Sequence, residues 1–284
     1  MGTRRSSVLV ALASIALVLA GAGCGGDEED PGCGGGAPDG YTDVPIEVRE
    51  PSGVSAADVE ESAEIICSRT EALGIDEAAV RSEGTRRIIV SVPRDRAAET
   101  GQELARAARL RLYNWDANLI AGGGTAEEPL SSYREAERAA STRDDGIVLR
   151  AEPPLQGFVA IRNRPSLRNE DIREVTLEPD PQTGGPSITL EFTSRGQRKF
   201  KALTRQVAQE SEPGSPARFA VAVDAEIVAV PEVDAAANPK GLDSPAVTLV
   251  GAIPFEEAEL LTELLQIGHL PIALDLEPAE RPEG

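Results

Sequence analysis

The sequence predicts an α+β protein with two lobes that each follow the order β-α-β-β-α-β. The first observation is residues 187–192, where apolar and polar side chains alternate as in a half-buried strand. The second is that Phe200, Leu203 and Val207 then recur at helical spacing. The third is that the same order of elements occurs earlier in the chain, over residues 41–115. Each lobe is therefore expected to pack helices against a sheet.

The first lobe is predicted from local periodicity and helix-end signals. Its elements are a strand at 44–48, a helix from Ser55 to Gly74, a hairpin of 79–83 and 87–92 that turns at Gly84-Thr85, a helix at 95–108 and a strand at 110–115. Ser55 with Asp58 three residues later resembles a capping box, and Gly74 is a suitable helix stop. Two helices on one face of a four-stranded sheet is the ferredoxin-like arrangement.

The second lobe is predicted over residues 166–277, after a connecting insert at 116–165 with a short polar helix that Ser131 or Ser132 caps. Its main elements are the strand at 187–192, a helix that Thr193 or Ser194 caps, a hairpin of 219–223 and 227–230 that turns at Asp224-Ala225, a helix from about 254 to 266 and a closing strand at 272–276.

The charge of the chain excludes one class of partner. Its 284 residues include 48 acidic residues against 28 Lys and Arg, which gives a net charge of −20. An anionic surface repels phosphate backbones, so nucleic-acid binding is not expected.

The N-terminus has the pattern of an export signal. Residues 1–23 carry Arg4 and Arg5 followed by an apolar run that is too short to span a bilayer. The run from Leu19 to Cys24 resembles the bacterial lipoprotein cleavage box, although Gly21 stands where that box usually has Leu. Cys24 is thus the predicted lipid anchor, and residues 24–40 are a predicted acidic, Gly-rich tether. We expect the chain on the outer face of the bacterial cytoplasmic membrane.

The remaining cysteines allow two interpretations. If Cys24 is acylated, Cys33 and Cys67 are left as an even pair in an oxidising compartment. A disulfide between them would attach the tether to the first helix. Alternatively, Cys67 packs as a small apolar residue.

Several blocks in a fixed order resemble SecD, the membrane subunit that assists Sec-dependent protein export. These blocks are Cys67-Ser-Arg-Thr-Glu-Ala-Leu73-Gly74, Arg87-Ile-Ile-Val-Ser-Val-Pro93, Ser187-Ile-Thr-Leu-Glu-Phe192 with Arg195-Gly-Gln-Arg-Lys-Phe200, Phe219 to Pro231, and Leu264 to Leu274. One departure is Ala225, where the family usually has Gly. The resemblance implies a ferredoxin-like lobe followed by a second lobe like the SecD head, with membrane, translocating polypeptides or translocon subunits as partners.

The resemblance supports two functional hypotheses. In the first, the chain is an accessory of protein export that binds polypeptide or translocon without energy coupling, since SecD continues into membrane helices and only a polar tail, 278–284, follows here. In the second, the chain is a binding or scaffold lipoprotein that keeps the fold without an export role. A fragment of a larger SecD is less consistent with a leader that has its own cysteine box.

Catalytic and metal motifs are not found in the sequence, so neither an enzyme nor a cofactor is expected. His269 is the one histidine, and its position after a helix end favours capping or packing. The spacing of His and Cys fits no zinc site, and no Gly-x-Ser-x-Gly elbow occurs.

Overall fold

A computed structural model describes residue 33 and residues 35–123, 128–151, 156–211, 216–250 and 253–276. Within these residues the α-helices are α1 (Ala56–Ala72), α2 (Ala97–Ala105), α3 (Trp115–Asn118), α4 (Tyr133–Ala140), α5 (Ser194–Glu210) and α6 (Phe255–Ile267). The strands are β1 (Tyr41–Val48), β2 (Ala79–Glu83), β3 (Arg87–Pro93), β4 (Leu110–Asn114), β5 (Leu119–Ala121), β6 (Gly146–Ala151), β7 (Gly157–Arg162), β8 (Leu167–Arg168), β9 (Ile172–Pro179), β10 (Pro186–Phe192), β11 (Ala217–Val223), β12 (Glu226–Ala229), β13 (Glu232–Val233), β14 (Ala246–Val250) and β15 (Leu274–Leu276).

The α+β class is confirmed. The predicted signal segment, the Cys24 anchor, residues 24–32 of the tether and the tail at 278–284 lie outside the described residues.

The ferredoxin-like lobe, which we call the base, is an antiparallel sheet in the order β15-β1-β3-β2 with α1 and α2 against it. Alternate residues of β1 and β3, including Ile46 and Val90, share a buried core with Ile66 of α1 and Leu104 of α2. Both helices therefore cover one face of the sheet. The predicted helix start is confirmed, because the Ser55 hydroxyl accepts from the backbone N–H of Asp58 while the Asp58 carboxylate accepts from that of Ser55.

The fourth strand of the base is not the one predicted. Residues 110–115 were expected to complete this sheet, but β4 pairs with β11 and β8 elsewhere, and β15 pairs with β1 instead. The chain leaves the base after α2 and returns with Leu270 and Ile272, which lie in the base core, before it forms β15. A strand's alternation records which face is buried and not which strand is its neighbour, so either segment fits the pattern. Gly101 on α2 admits β15 closely, since a Cβ there would lie 2.9 Å from a methyl group of Leu276.

Residues 110–267 lie between the point where the chain leaves the base and the point where it returns. We call them the head. Its large sheet runs β5-β7-β6-β12-β11-β4-β8, with β13 also paired to β11. Its small sheet runs β14-β10-β9. The helix α5 packs between them, and Phe200 stacks on Phe192 of the small sheet while meeting Phe219 of the large sheet edge-on. Alternate residues of β4 and β11 face two different cores, so the centre of the large sheet is buried on both sides.

The predicted second β-α-β-β-α-β lobe is wrong in its strand pairing. The strand β10 and the hairpin β11–β12 belong to different sheets, and the expected closing strand, 272–276, contributes β15 to the base. The expected insert at 116–165 supplies β5, β6 and β7 to the large sheet rather than standing apart. Local elements were predicted correctly, including the hairpin turn at Asp224 and the caps at Thr193 and Ser132.

Candidate functional site

A groove of ≈ 930 Å³ lies where the base meets the head. One side is the edge strand β15 and the adjoining end of β1. The other side is the end of α2, the linker 106–109 that leads to β4, and the turn at Asp224 and Ala225. We call the linker 106–109, together with the returning residues 268–270, the joint.

Arg69 of α1 holds both crossings of the joint. Its side chain is fully buried, and its guanidinium donates hydrogen bonds to the carbonyl oxygens of Leu104 and Arg106 on the outgoing chain and of Gly268 on the returning chain. Burial lowers the pKa of Arg69 to about 10, an effect that nearby Asp224 opposes, so the group remains charged at neutral pH. A helix of the base thus binds the two segments that enter and leave the head.

Two side chains of the head hold the linker from the other side. Asn169 donates to the carbonyl of Ala108 at 2.9 Å and accepts from the N–H of Leu110 at 3.0 Å. The carboxylate of Asp224 accepts from the N–H groups of Ala108 at 3.1 Å and Arg109 at 2.9 Å. Ala108 is fully buried and has a φ of +55°, a conformation that alanine adopts at a cost. These bonds keep the linker in one backbone conformation.

Asp224 is expected to contribute measurably to the stability of the joint. Asp224→Gly should lower the free energy of unfolding by about 1–2 kcal/mol, because two bonds from buried backbone amides to a charged acceptor are lost. Glycine retains the positive φ of 55° that the turn needs, so the turn itself is preserved. Chemical denaturation measures the loss, and Asp224→Asn, which keeps one acceptor, should lose less. Equal stability of wild type and Asp224→Gly would contradict the assigned role.

The groove collects positive charge in an otherwise acidic chain. Four arginines line it, at Arg49, Arg106, Arg109 and Arg111, against the three acids Glu47, Asp224 and Asp275. The Nε of Arg49 donates to Asp275 at 2.7 Å, and this bond holds the pKa of Asp275 below its usual value.

The Asp224 carboxylate faces backbone amides, and Arg106 pairs with Glu226 at 3.7 Å. Because the groove is lined by more arginines than acids, it can attract anionic groups although the chain carries a net charge of −20.

Cys33, Cys67 and His269, which were singled out from the sequence, do not line the groove. Cys33 is joined to Cys67 of α1, with 5.9 Å between their Cα atoms. His269 is exposed, beside a cavity of ≈ 430 Å³ between α6 and β9. Among the described residues no group of three or more His, Cys, Asp and Glu is placed to hold a metal ion.

The joint residues were not predicted from the sequence. Arg69 lies in the block that resembles SecD, and the one local signal is its position three residues after the buried Ile66, on the inner side of α1. Asp224 was assigned only to a hairpin turn, and no role was predicted for Asn169. Over the described stretches no helix is both long and apolar enough to cross a membrane.

The chain is similar to protein-export subunits in sequence. Residues 147–272 match the family model described as SecDF, P1 head subdomain. The protein translocase subunit SecDF of Brucella abortus is 28% identical over 225 residues, which cover 76% of this chain and 26% of that protein. The protein translocase subunit SecD of Streptomyces coelicolor is 33% identical over 88 residues, 31% of this chain and 14% of that protein. The chain thus spans only about a quarter of the SecDF relative.

Solved structures show the same fold. A crystal structure of SecDF in a super-membrane-facing form has a TM-score of 0.58 at 22% identity, covering 89% of this chain and 32% of that one. A second structure, of "a membrane component SecDF that enhances protein export", has a TM-score of 0.56 at 20% identity and covers 84% of this chain and 100% of that one. The resemblance to SecD is confirmed: the chain is similar to SecD and SecDF subunits, and its residues 147–272 match the SecDF P1 head.

Proposed function

We propose that the chain is an extracytoplasmic, lipid-anchored SecD-like module that assists protein export. It would bind translocating polypeptide or translocon subunits reversibly and non-covalently, without energy coupling. The observation that carries this proposal is the match of residues 147–272 to the SecDF P1 head. Two further findings support the proposal. The relatives are named protein translocase subunits, and one solved neighbour is described as enhancing protein export.

The anchor would keep the base close to the membrane. Cys33 follows Cys24 by nine residues, a span of at most about 30 Å when fully extended. Because Cys33 is bonded to α1, this limit applies to the base itself and not to a free tether. A module held at this height could meet a polypeptide as it emerges from a membrane channel.

The lipid anchor has a direct test in bacterial cells. Cys24→Ser should move the protein from the membrane fraction to the soluble fraction and abolish the incorporation of radiolabelled palmitate, because the acylated thiol is lost. The double variant Cys33→Ala with Cys67→Ala is the control, since it removes the other two cysteines together, leaves no unpaired partner and keeps Cys24. Unchanged membrane association and labelling in Cys24→Ser would exclude the anchor.

Binding partners can be identified by photocrosslinking in cells. Crosslinking residues would be placed on the head at Arg162, Glu178 and Gln182, and in the groove at Gln102, which is exposed. The exposed Ser82, on the opposite edge of the base sheet, is the control position. Capture of translocon subunits or of many unrelated exported chains supports an export accessory.

The second candidate is a binding or scaffold lipoprotein with the SecD-like fold and no export role. It is favoured by the location of the blocks shared with SecD, which supply core residues such as Ile88, Leu190 and Phe200 rather than an exposed site. In the crosslinking experiment this candidate predicts one recurrent envelope partner and neither translocon subunits nor varied exported chains.

A further inference from the structure

We propose that the groove at the joint binds an extended acidic peptide segment, which adds to the free edge of β15 as a further strand. This inference rests on the proposed function and deepens it by specifying the ligand class and the mode of binding. It rests on a strand edge that no other described strand pairs with, a space beside that edge, and a set of arginines that line the space.

The strand β15 is the edge of the base sheet, and its only strand neighbour among the described residues is β1. The N–H of Arg49 donates to the carbonyl of Ala273, and Glu47 lies opposite Asp275 in the same register. Because neighbouring residues of an antiparallel strand point their backbone groups in opposite directions, the N–H and C=O of Leu274 and Leu276 face away from β1. Both residues line the groove. An exposed edge of this kind is a template for strand addition.

The space beside β15 suits a peptide. A strand added to a sheet lies about 4.8 Å from its neighbour, and the groove has a volume of ≈ 930 Å³. This volume is near the upper limit of the roughly 300–1,000 Å³ typical of small-molecule pockets. The wall opposite β15, the linker with the start of β4, is held in place by Arg69, Asn169 and Asp224.

The charge of the groove lining determines which peptides the groove would bind. Arg106 and Arg109 belong to the linker and Arg111 to β4, on the wall opposite β15, while Arg49 directly follows β1. The side chains of a strand added to β15 would project alternately above and below the sheet, within a space that four arginines and three acids line. Acidic side chains there would be attracted, whereas lysines would be repelled. The occupant that the groove fits is therefore an extended segment that carries acidic residues.

The first test measures binding of short peptides to the full-length chain by fluorescence polarisation. An eight-residue peptide that alternates valine and glutamate should bind, and its counterpart with lysine in place of glutamate should bind at least about tenfold more weakly. Backbone N-methylation on one alternate set of residues should weaken binding about tenfold, because hydrogen bonds to β15 are lost. Methylation of the other set should have little effect. Equal loss from both sets, or no binding of the acidic peptide, would overturn strand addition.

The second test changes the groove. Arg109→Glu should weaken the acidic peptide about tenfold and reduce the preference over the lysine peptide. Arg198→Glu, a matched charge reversal at an exposed position on α5, should leave both unchanged. If both variants weaken binding equally, the attraction belongs to the whole surface and the groove assignment fails. Pairing of β15 with a second copy of the chain, seen as a dimer that the peptide cannot dissociate, would also overturn it.

The peptide-binding tests and the crosslinking test distinguish a failure of this inference from a failure of the proposed function. If crosslinks from Arg162, Glu178 and Gln182 capture exported chains while the peptide fails to bind, the export role stands and the groove inference is lost. If the peptide binds in the groove and no crosslink captures a translocon subunit or exported chain, the groove is a peptide site of a protein without an export role.

Discussion

Replacing Arg69 by methionine is expected to lower the free energy of unfolding by about 3 kcal/mol. The change leaves the carbonyl oxygens of Leu104, Arg106 and Gly268 without their donor, and an unpaired polar group in a buried position costs about 1–3 kcal/mol. The variant no longer buries a guanidinium charge, and this gain offsets part of the cost of the unpaired carbonyl oxygens. Guanidinium chloride unfolding, followed by circular dichroism, measures the loss.

Two comparisons isolate the joint as the cause. Arg69→Lys keeps a donor of shorter reach, so its loss should be intermediate. Arg198→Met makes the same kind of change at an exposed position of α5, so its effect should stay within about 0.5 kcal/mol. An Arg69→Met loss no larger than that of Arg198→Met would show that the joint does not depend on this side chain.

Removing the bond between Cys33 and Cys67 is expected to cost about 3–4 kcal/mol. The two cysteines are 34 residues apart, and a crosslink that closes a loop of this length restricts the unfolded chain by that amount in the chain-entropy model. The double change Cys33→Ala with Cys67→Ala provides the measurement by thermal or denaturant unfolding. The same loss should appear when dithiothreitol reduces the wild type.

Reductant gives the internal control for this prediction. The double variant should be unaffected by dithiothreitol, because no crosslink remains to be reduced. A wild type whose stability does not respond to reductant, with two titratable thiols in the native protein, would show that the pair is not bonded in solution. The alternative interpretation of Cys67 as a small packing residue would then hold.

The sequence by itself determined the local elements and the resemblance to SecD. Alternation of apolar residues identified β1 and β10, and helical spacing after Phe192 identified α5. Ser55, Thr193 and Ser132 were correct as helix caps because a cap depends on a side chain and on amides within three residues. Blocks of core residues in a fixed order were sufficient to recognise a SecD-like chain, and the comparisons confirm that resemblance.

Only the tertiary structure decided which strands are neighbours. The strands β4 and β15 are equally apolar on one side, yet β15 completes the base and β4 enters the head. Pairing across more than 200 residues depends on the whole packed core, which local periodicity does not record. The contacts of the joint could not be predicted from the sequence for the same reason. Arg69, Asn169 and Asp224 are far apart in sequence, and their shared role exists only where the chain passes between base and head.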